Sequence, residues 1–364
     1  MSSAGLGFSR TDWRLIGLAV LAAAAAGITH YGKLGGTVAP FVISALALAL
    51  LASLVGRSVE ALGDRLGAGA TGVVQSALGN LPELFVVLFA LKKKLYDVAT
   101  ASLVGSILAN VLLVLGLAFL VGGIKNGPQR FEKASARTIS LLLVLSVAAL
   151  LVPALTAALH TPAAGHERGL SIVVSILLLG LFVASLPSAI RRSRSAEPAG
   201  EAAADGGHEH APAWPLGVAI SMLAVTGVGA AFVSDWFVTA LEPAMDSLGI
   251  SQAFAGLVIV AIAGNAVENV VGIQLAMRNQ SDYALSVILQ SPLQIALVVA
   301  PALVLLSPLV GASFTLVLSP LLIAVLIMSV MVSVIVVLDG ESNWLEGATL
   351  IVLYAIISAA FWWG

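Results

Sequence analysis

The chain contains no cysteine, which excludes disulfides, thiolate metal centres and cysteine nucleophiles. Charge is also scarce: Asp, Glu, Lys and Arg make up 10% of the 364 residues, against roughly 25% in soluble domains. Aromatic residues reach only 6%. Of these, Trp13, Trp214, Trp344, Trp362 and Trp363 stand at the edges of apolar runs, as membrane-interface anchors do. No His-x-x-x-His, P-loop or Gly-x-Ser-x-Gly motif occurs, so nothing marks the chain as an enzyme. Nothing in it points to nucleic acid either. What remains is apolar: 59% hydrophobic residues and a mean hydropathy of +1.06. Stretches of about 20 apolar residues predict membrane helices rather than barrel strands, which would alternate every second residue.

Eleven spans are expected: 13–30, 37–62, 68–91, 96–122, 136–159, 168–190, 214–238, 251–277, 281–307, 313–338 and 343–363. The first lacks a cleavage site and is expected to be kept as a helix. One long polar segment, 191–213, carries Arg191, Arg192, Arg194, Glu197, Glu201, Asp205 and His208-Glu209-His210, and reads as a flexible linker. The triplet reads as solvated, with Zn²⁺ binding as the alternative. The expected organisation is an extra N-terminal helix (1–35), a first five-helix repeat (36–190), the linker (191–213) and a second five-helix repeat (214–364). Five is odd, so the repeats enter the membrane in opposite directions, an all-α inverted-repeat architecture. Twelve Lys and Arg fall on the N-terminal side, against Lys33, Lys92, Lys93, Lys94 and Arg168 on the other. Positive-inside bias then places the N-terminus and linker in the cytoplasm and the C-terminus outside.

The duplication is visible in the residues. Gly79-Asn80-Leu81-Pro82-Glu83 recurs as Gly264-Asn265-Ala266-Val267-Glu268, at an offset of 185. The same offset carries Asp97 to Asp282, Ala99 to Ala284, Ser106 to Ser291 and Leu112 to Leu297, with 10 identities over residues 79–116. Apolar bias alone would not place Asn, Glu and Ser in register. An ionisable residue at membrane depth is costly and usually functional. Glu83 and Glu268 therefore predict one site built from both halves. Glycine lets the backbone leave helical geometry there, and Pro82 removes a helix donor. Asn80, Asn265, Ser106, Ser291 and Gln294 add amide and hydroxyl oxygens; the first-repeat match to Gln294 is Ala109, with Asn110 beside it. For the Asn and Ser positions, bonding between helices is a competing role.

This donor set is all oxygen, which suits a hard divalent cation such as Ca²⁺. When the ion leaves, two adjacent bare anions are unfavourable, so protons bind in its place. Asp97 and Asp282 are expected chiefly as helix N-caps. Glu60 and Asp235 form a further symmetric acidic pair, able to pass ions or equally to be solvated helix ends.

At these residues the chain resembles the calcium/proton exchanger family of the cation/calcium exchanger superfamily. The resemblance extends through Ala101-Ser102-Leu103-Val104-Gly105-Ser106-Ile107-Leu108-Ala109-Asn110 and Ser291-Pro292-Leu293-Gln294. Where the family usually has Gly-Ser ahead of its Gln, this chain has Gln290-Ser291. The resemblance implies a sodium/calcium-exchanger-like fold of eleven helices, with Glu83 and Glu268 alternately holding Ca²⁺ and protons. It implies a secondary antiporter with Ca²⁺ and H⁺ as substrates, no cofactor, and alternating access, expected in the plasma (inner) membrane of a prokaryote. Sodium-coupled or other cation/proton exchange is the alternative, with a cation channel or an intramembrane enzyme behind it. The oligomeric state is left open.

Overall fold

The structure, a computed structural model, describes residues 7–66, 78–196 and 214–363, and the side chains of all but 63–66, 187–196, 267 and 268. It is helical apart from one pair of two-residue strands. The helices are α1 (Arg10–Gly32), α2 (Val38–Leu66), α3 (Leu81–Lys92), α4 (Tyr96–Asn126), α5 (Lys133–Ala158), α6 (Glu167–Ala196) and α7 (Leu216–Leu248). They continue as α8 (Gln252–Gly264), α9 (Ala266–Met277), α10 (Ser281–Val310), α11 (Pro320–Val337) and α12 (Trp344–Trp362). Among the described residues nine of these are long and apolar enough to cross a membrane, and α8 with α9 forms a pair bent by 62° that is a tenth if taken as one broken span. This is an integral membrane protein with lipid as its surroundings. Of the expected span 68–91, residues 68–77 lie outside the described residues, and the remainder supplies α3.

Several boundaries differ from the apolar runs. Helix α6 continues to Ala196, six residues into the segment read as linker, because Arg and Ser extend a helix that hydropathy alone would stop. The 197–213 segment, with its His208-Glu209-His210 triplet, lies outside the described residues. Helix α11 starts at Pro320 rather than 313: Ser319 caps it through its hydroxyl, accepting from the Leu322 amide at 3.4 Å, with Pro at the first helical position. The preceding residues 312–319 form no helix or strand, and Leu316 donates its amide to the Ser171 hydroxyl at 3.0 Å.

The chain divides into two compact units that do not coincide with its two halves. One comprises residues 1–85 and 181–240, the other 86–180 and 241–364. In the first unit, α1 begins with a capping box: the Ser9 amide donates to Asp12 at 2.9 Å and the Asp12 amide donates back to the Ser9 hydroxyl at 3.1 Å. The Asp12 carboxylate is buried, pairs with Arg57 of α2, and accepts the Trp214 indole N–H at 3.3 Å. Trp214 is therefore a buried residue rather than the interfacial anchor expected of it, since Phe8 packs edge-on against its ring at 4.9 Å. Trp13, Trp344, Trp362 and Trp363 are exposed as expected.

In the second unit, small residues let helices approach backbone to backbone. A Cβ on Gly105 of α4 would collide with the Leu257 backbone of α8, and one on Gly256 would meet the Val98 carbonyl at 2.5 Å. Helices α4 and α12 meet in the same way at Gly116 and Gly347. The strands β1 (Gln129–Arg130) and β2 (Glu341–Ser342) pair antiparallel, Gln129 opposite Ser342.

Candidate functional site

Each Gly-Asn-x-x-Glu motif places a turn immediately before a helix that carries its Glu. In the first copy Gly79 and Asn80 form a turn, and α3 begins at Leu81. In the second, Asn265 leaves helical geometry (φ −96°, ψ 19°), ending α8 and starting α9. The Asn80 carbonyl accepts the Leu84 amide at 3.0 Å and the Asn265 carbonyl the Asn269 amide at 3.0 Å, the same bond at the 185-residue offset. Glu83 and Glu268 are thus each the third residue of a 12-residue half-helix. There the unpaired N–H groups and the helix dipole favour negative charge. Pro82 falls in the first turn, so its missing N–H interrupts no bond within the helix; the turn before it is made by Gly79 and Asn80. Glu83 and Asn80 are buried. The side chain of Glu268 lies outside the described residues.

Within the second unit three helices bring predicted residues together. The Asn265 amide donates to the Ser106 hydroxyl at 3.0 Å and to the Ala261 carbonyl at 2.8 Å. Its oxygen accepts from the Ser291 hydroxyl at 3.1 Å and from the Asn110 amide at 2.9 Å. Ser106, Asn265, Ser291 and Asn110 are all buried, so the network lies away from solvent, where hydrogen bonds are electrostatically stronger. Gln294 sits one turn beyond Ser291 as α10 enters a π-helical segment, Ile295–Val299, and is half-buried.

Asn110 is the member that sequence reasoning underrated. Its amide nitrogen faces three oxygens: Asn265 Oδ1, the Ser291 hydroxyl at 3.2 Å and the Ser106 carbonyl at 2.9 Å. Turning the amide over would set acceptor against acceptor at two of them, which fixes its orientation. Its oxygen is fully buried and has no hydrogen-bond partner among the described residues. Such an acceptor costs about 1–3 kcal/mol when unsatisfied, and a bound cation would satisfy it. The available signal was spacing: Ser106 and Asn110 are four apart, on one face of α4. A π-helical segment at Ala109–Val114 follows, matching Ile295–Val299 at the repeat offset, and π-segments recur at functional sites. The Asn269 oxygen, one residue after Glu268, is likewise buried without a hydrogen-bond partner among the described residues.

Asp97 and Asp282 make other contacts. Asp97 and Asp282 are each the second residue of their helix, after the caps Leu95 and Gln280, and neither helix start has a side-chain cap bond. The N-cap expectation is corrected accordingly: each helix is capped two residues earlier than the motif suggests, at Leu95 and Gln280. Asp282 instead accepts the Glu132 backbone amide at 2.6 Å. Asp97 lies with Tyr96, Thr100, Ser251, Ser313 and Thr315 on a cleft of about 780 Å³. Glu60 is exposed and Asp235 half-buried, both in the first unit. Among the described residues no three His, Asp or Glu side chains cluster as a metal site, so cation ligation here would draw on amide and hydroxyl oxygens as well as carboxylate.

Buried polar side chains on broken helices of a polytopic membrane protein define a secondary transporter rather than an enzyme. The profile of the sodium/calcium exchanger protein family matches residues 37–190 and 218–363. The chain is 35% identical to the Ca²⁺/H⁺ antiporter ChaA of Bacillus subtilis, over 88% of this chain and 91% of that one. It is 32% identical to a Ca²⁺/H⁺ antiporter of Synechocystis, covering 90% and 91%. The solved structure of native YfkE superposes with a TM-score of 0.80 at 31% identity, covering 96% of this chain and 99% of that one. The protein belongs to the sodium/calcium exchanger family, in its calcium/proton exchanger branch, and has the corresponding fold.

Proposed function

We propose that the protein exchanges Ca²⁺ for H⁺ across the membrane by alternating access, with Glu83 and Glu268 as the groups that hold the cation or protons in turn. The observation that carries this reading is the buried network of Asn265, Ser106, Ser291 and Asn110, with an Asn110 oxygen left for a ligand; the matched helix starts that each carry a Glu support it. Amide, hydroxyl and carboxylate oxygens suit Ca²⁺, and two carboxylates neutralise its charge. Glu83, Asn80, Gly79 and the first repeat would supply one side of the site. Gly264, Asn265, Glu268, Ser291 and Gln294 would supply the other. Gly79 and Gly264 act by letting the chain break where each Glu is presented. The names of the relatives support the choice of ions.

In this scheme the N-terminus and linker face the cytoplasm and the C-terminus faces outward, in a plasma membrane. Cytoplasmic Ca²⁺ loads the deprotonated site, and protons entering from outside displace it. Reconstitution into liposomes with an imposed pH gradient tests this, with Ca²⁺, Mn²⁺, Na⁺ and K⁺ offered in turn. Proton-driven uptake of Ca²⁺ is expected. Uptake that requires a Na⁺ gradient instead would transfer the reading to sodium coupling, and flux that neither saturates nor responds to a counter-ion would mark a channel.

A further inference from the structure

Helix α9 has only 12 residues and starts at a 62° bend. A short half-helix joined through such a bend gets little direction from the chain before it, so its orientation depends on what it packs against, Ile288 of α10 beside Gly272 among others, and on what holds its far end. That end is held. The chain turns through Asn279 (φ 59°), and the Gln280 amide donates back to the Leu275 carbonyl at 3.0 Å, closing a Schellman-type cap. The Ala276 carbonyl accepts the Asn279 amide at 3.1 Å and two side chains, Gln129 Nε2 from the segment after α4 at 2.9 Å and Asn126 Nδ2 from the last residue of α4 at 3.0 Å. Gln129 is 2% exposed, and its backbone is fixed by strand pairing with Ser342. Gly122 makes room for it, since a Cβ there would strike the Gln129 amide. The Asp282 bond to the Glu132 amide fastens the same segment to the start of α10.

Among the described residues the end of α3 shows no matching arrangement. Lys94 (φ 64°) turns the end of α3 as Asn279 turns the end of α9, and the Leu95 amide reaches the Ala90 carbonyl at 2.9 Å. However, residues 310–317, which follow α10 as the Gln129 segment follows α4, contain no Asn or Gln. Ser313, Phe314 and Thr315 border the 780 Å³ cleft instead.

We infer that Gln129 and Asn126 are positioning residues for exchange: by holding the Ala276 carbonyl they fix the half-helix that carries Glu268. The inference rests on the exchanger reading for its functional consequence, and on the hydrogen bonds for its structural one. The absence of native cysteine makes single-site spin labelling direct. A label at Gln274→Cys, exposed on α9, reports the half-helix; one at Val352→Cys, exposed on α12, is the control. In reconstituted full-length protein, Gln129→Met keeps length and removes the donor. It should mobilise the label at 274 and leave the one at 352 unchanged. It should also raise the KM for Ca²⁺ about fivefold with Vmax within about twofold, the scale of one net hydrogen bond. Asn126→Ala, read the same way, decides the matter if Gln129→Met does not fold. An unchanged spectrum at 274, or equal loosening at both labels, overturns the inference. Failure of the wild-type protein to take up Ca²⁺ would defeat the exchanger reading alone, leaving the labels to decide the positioning role.

Discussion

The half-helices α3 and α9 begin alike and end unlike. Both follow a Gly-Asn break, both carry Glu at the third position, and both close through a residue in left-handed geometry, Lys94 or Asn279. What differs is what surrounds those ends within the second unit. Beyond α9 the connecting segments are stitched together by Gln129, Asn126, Asp282 and a strand pair; the equivalent segment beyond α10 borders an open cleft. The repeats share the Gly, Asn, Glu and Ser positions proposed to hold the ion and differ at the ends of these half-helices.

Four predictions probe that contrast. The largest effect belongs to the shared part: Glu83→Gln and Glu268→Gln should each reduce proton-driven Ca²⁺ uptake at least about 100-fold, since each removes an intramembrane charge. Residual uptake in one variant only would break the symmetry. Asn265→Ala or Asn110→Ala should cost about tenfold in Ca²⁺ affinity, through loss of one oxygen and of a coupled network. Equilibrium Ca²⁺ binding measures it. Gly256→Ala should destabilise the second unit by about 1–3 kcal/mol, because the new methyl meets backbone rather than a movable side chain; thermal unfolding in detergent would show it. The smallest effects divide the paired aspartates. Asp282→Asn should cost about 1 kcal/mol through its bond to the Glu132 amide. Asp97→Asn, exposed at the cleft, should fall within about 0.5 kcal/mol. Equal effects at the two positions would contradict the asymmetry.

Much of this was legible in the residues, for identifiable reasons. Glu, Asn and Ser are rare in apolar helices, so their recurrence at one offset exposed the motif before any geometry was known. Apolar runs likewise located most helices. The less legible features arise from long-range contact. Asp12 sits in a polar N-terminal stretch, and nothing near it in sequence announces its burial with Arg57 and Trp214. The π-helical segments have no residue signature, and Asn110 joins Asn265 across 155 positions of chain. Gln129 reads as an ordinary loop residue, because nothing local tells that Ala276 lies against it. Nor do the compact units follow the repeats, since each is assembled from pieces of both halves.

The most direct measurement is equilibrium binding of radiocalcium to the purified protein as pH is lowered, in wild type and in the single and double Gln variants of Glu83 and Glu268. If the two carboxylates form one site, acid displaces the ion from wild type, and either single substitution abolishes binding as completely as both together. Half-stoichiometric binding in the single variants, or binding indifferent to pH, would mean two separate carboxylates and contradict the account.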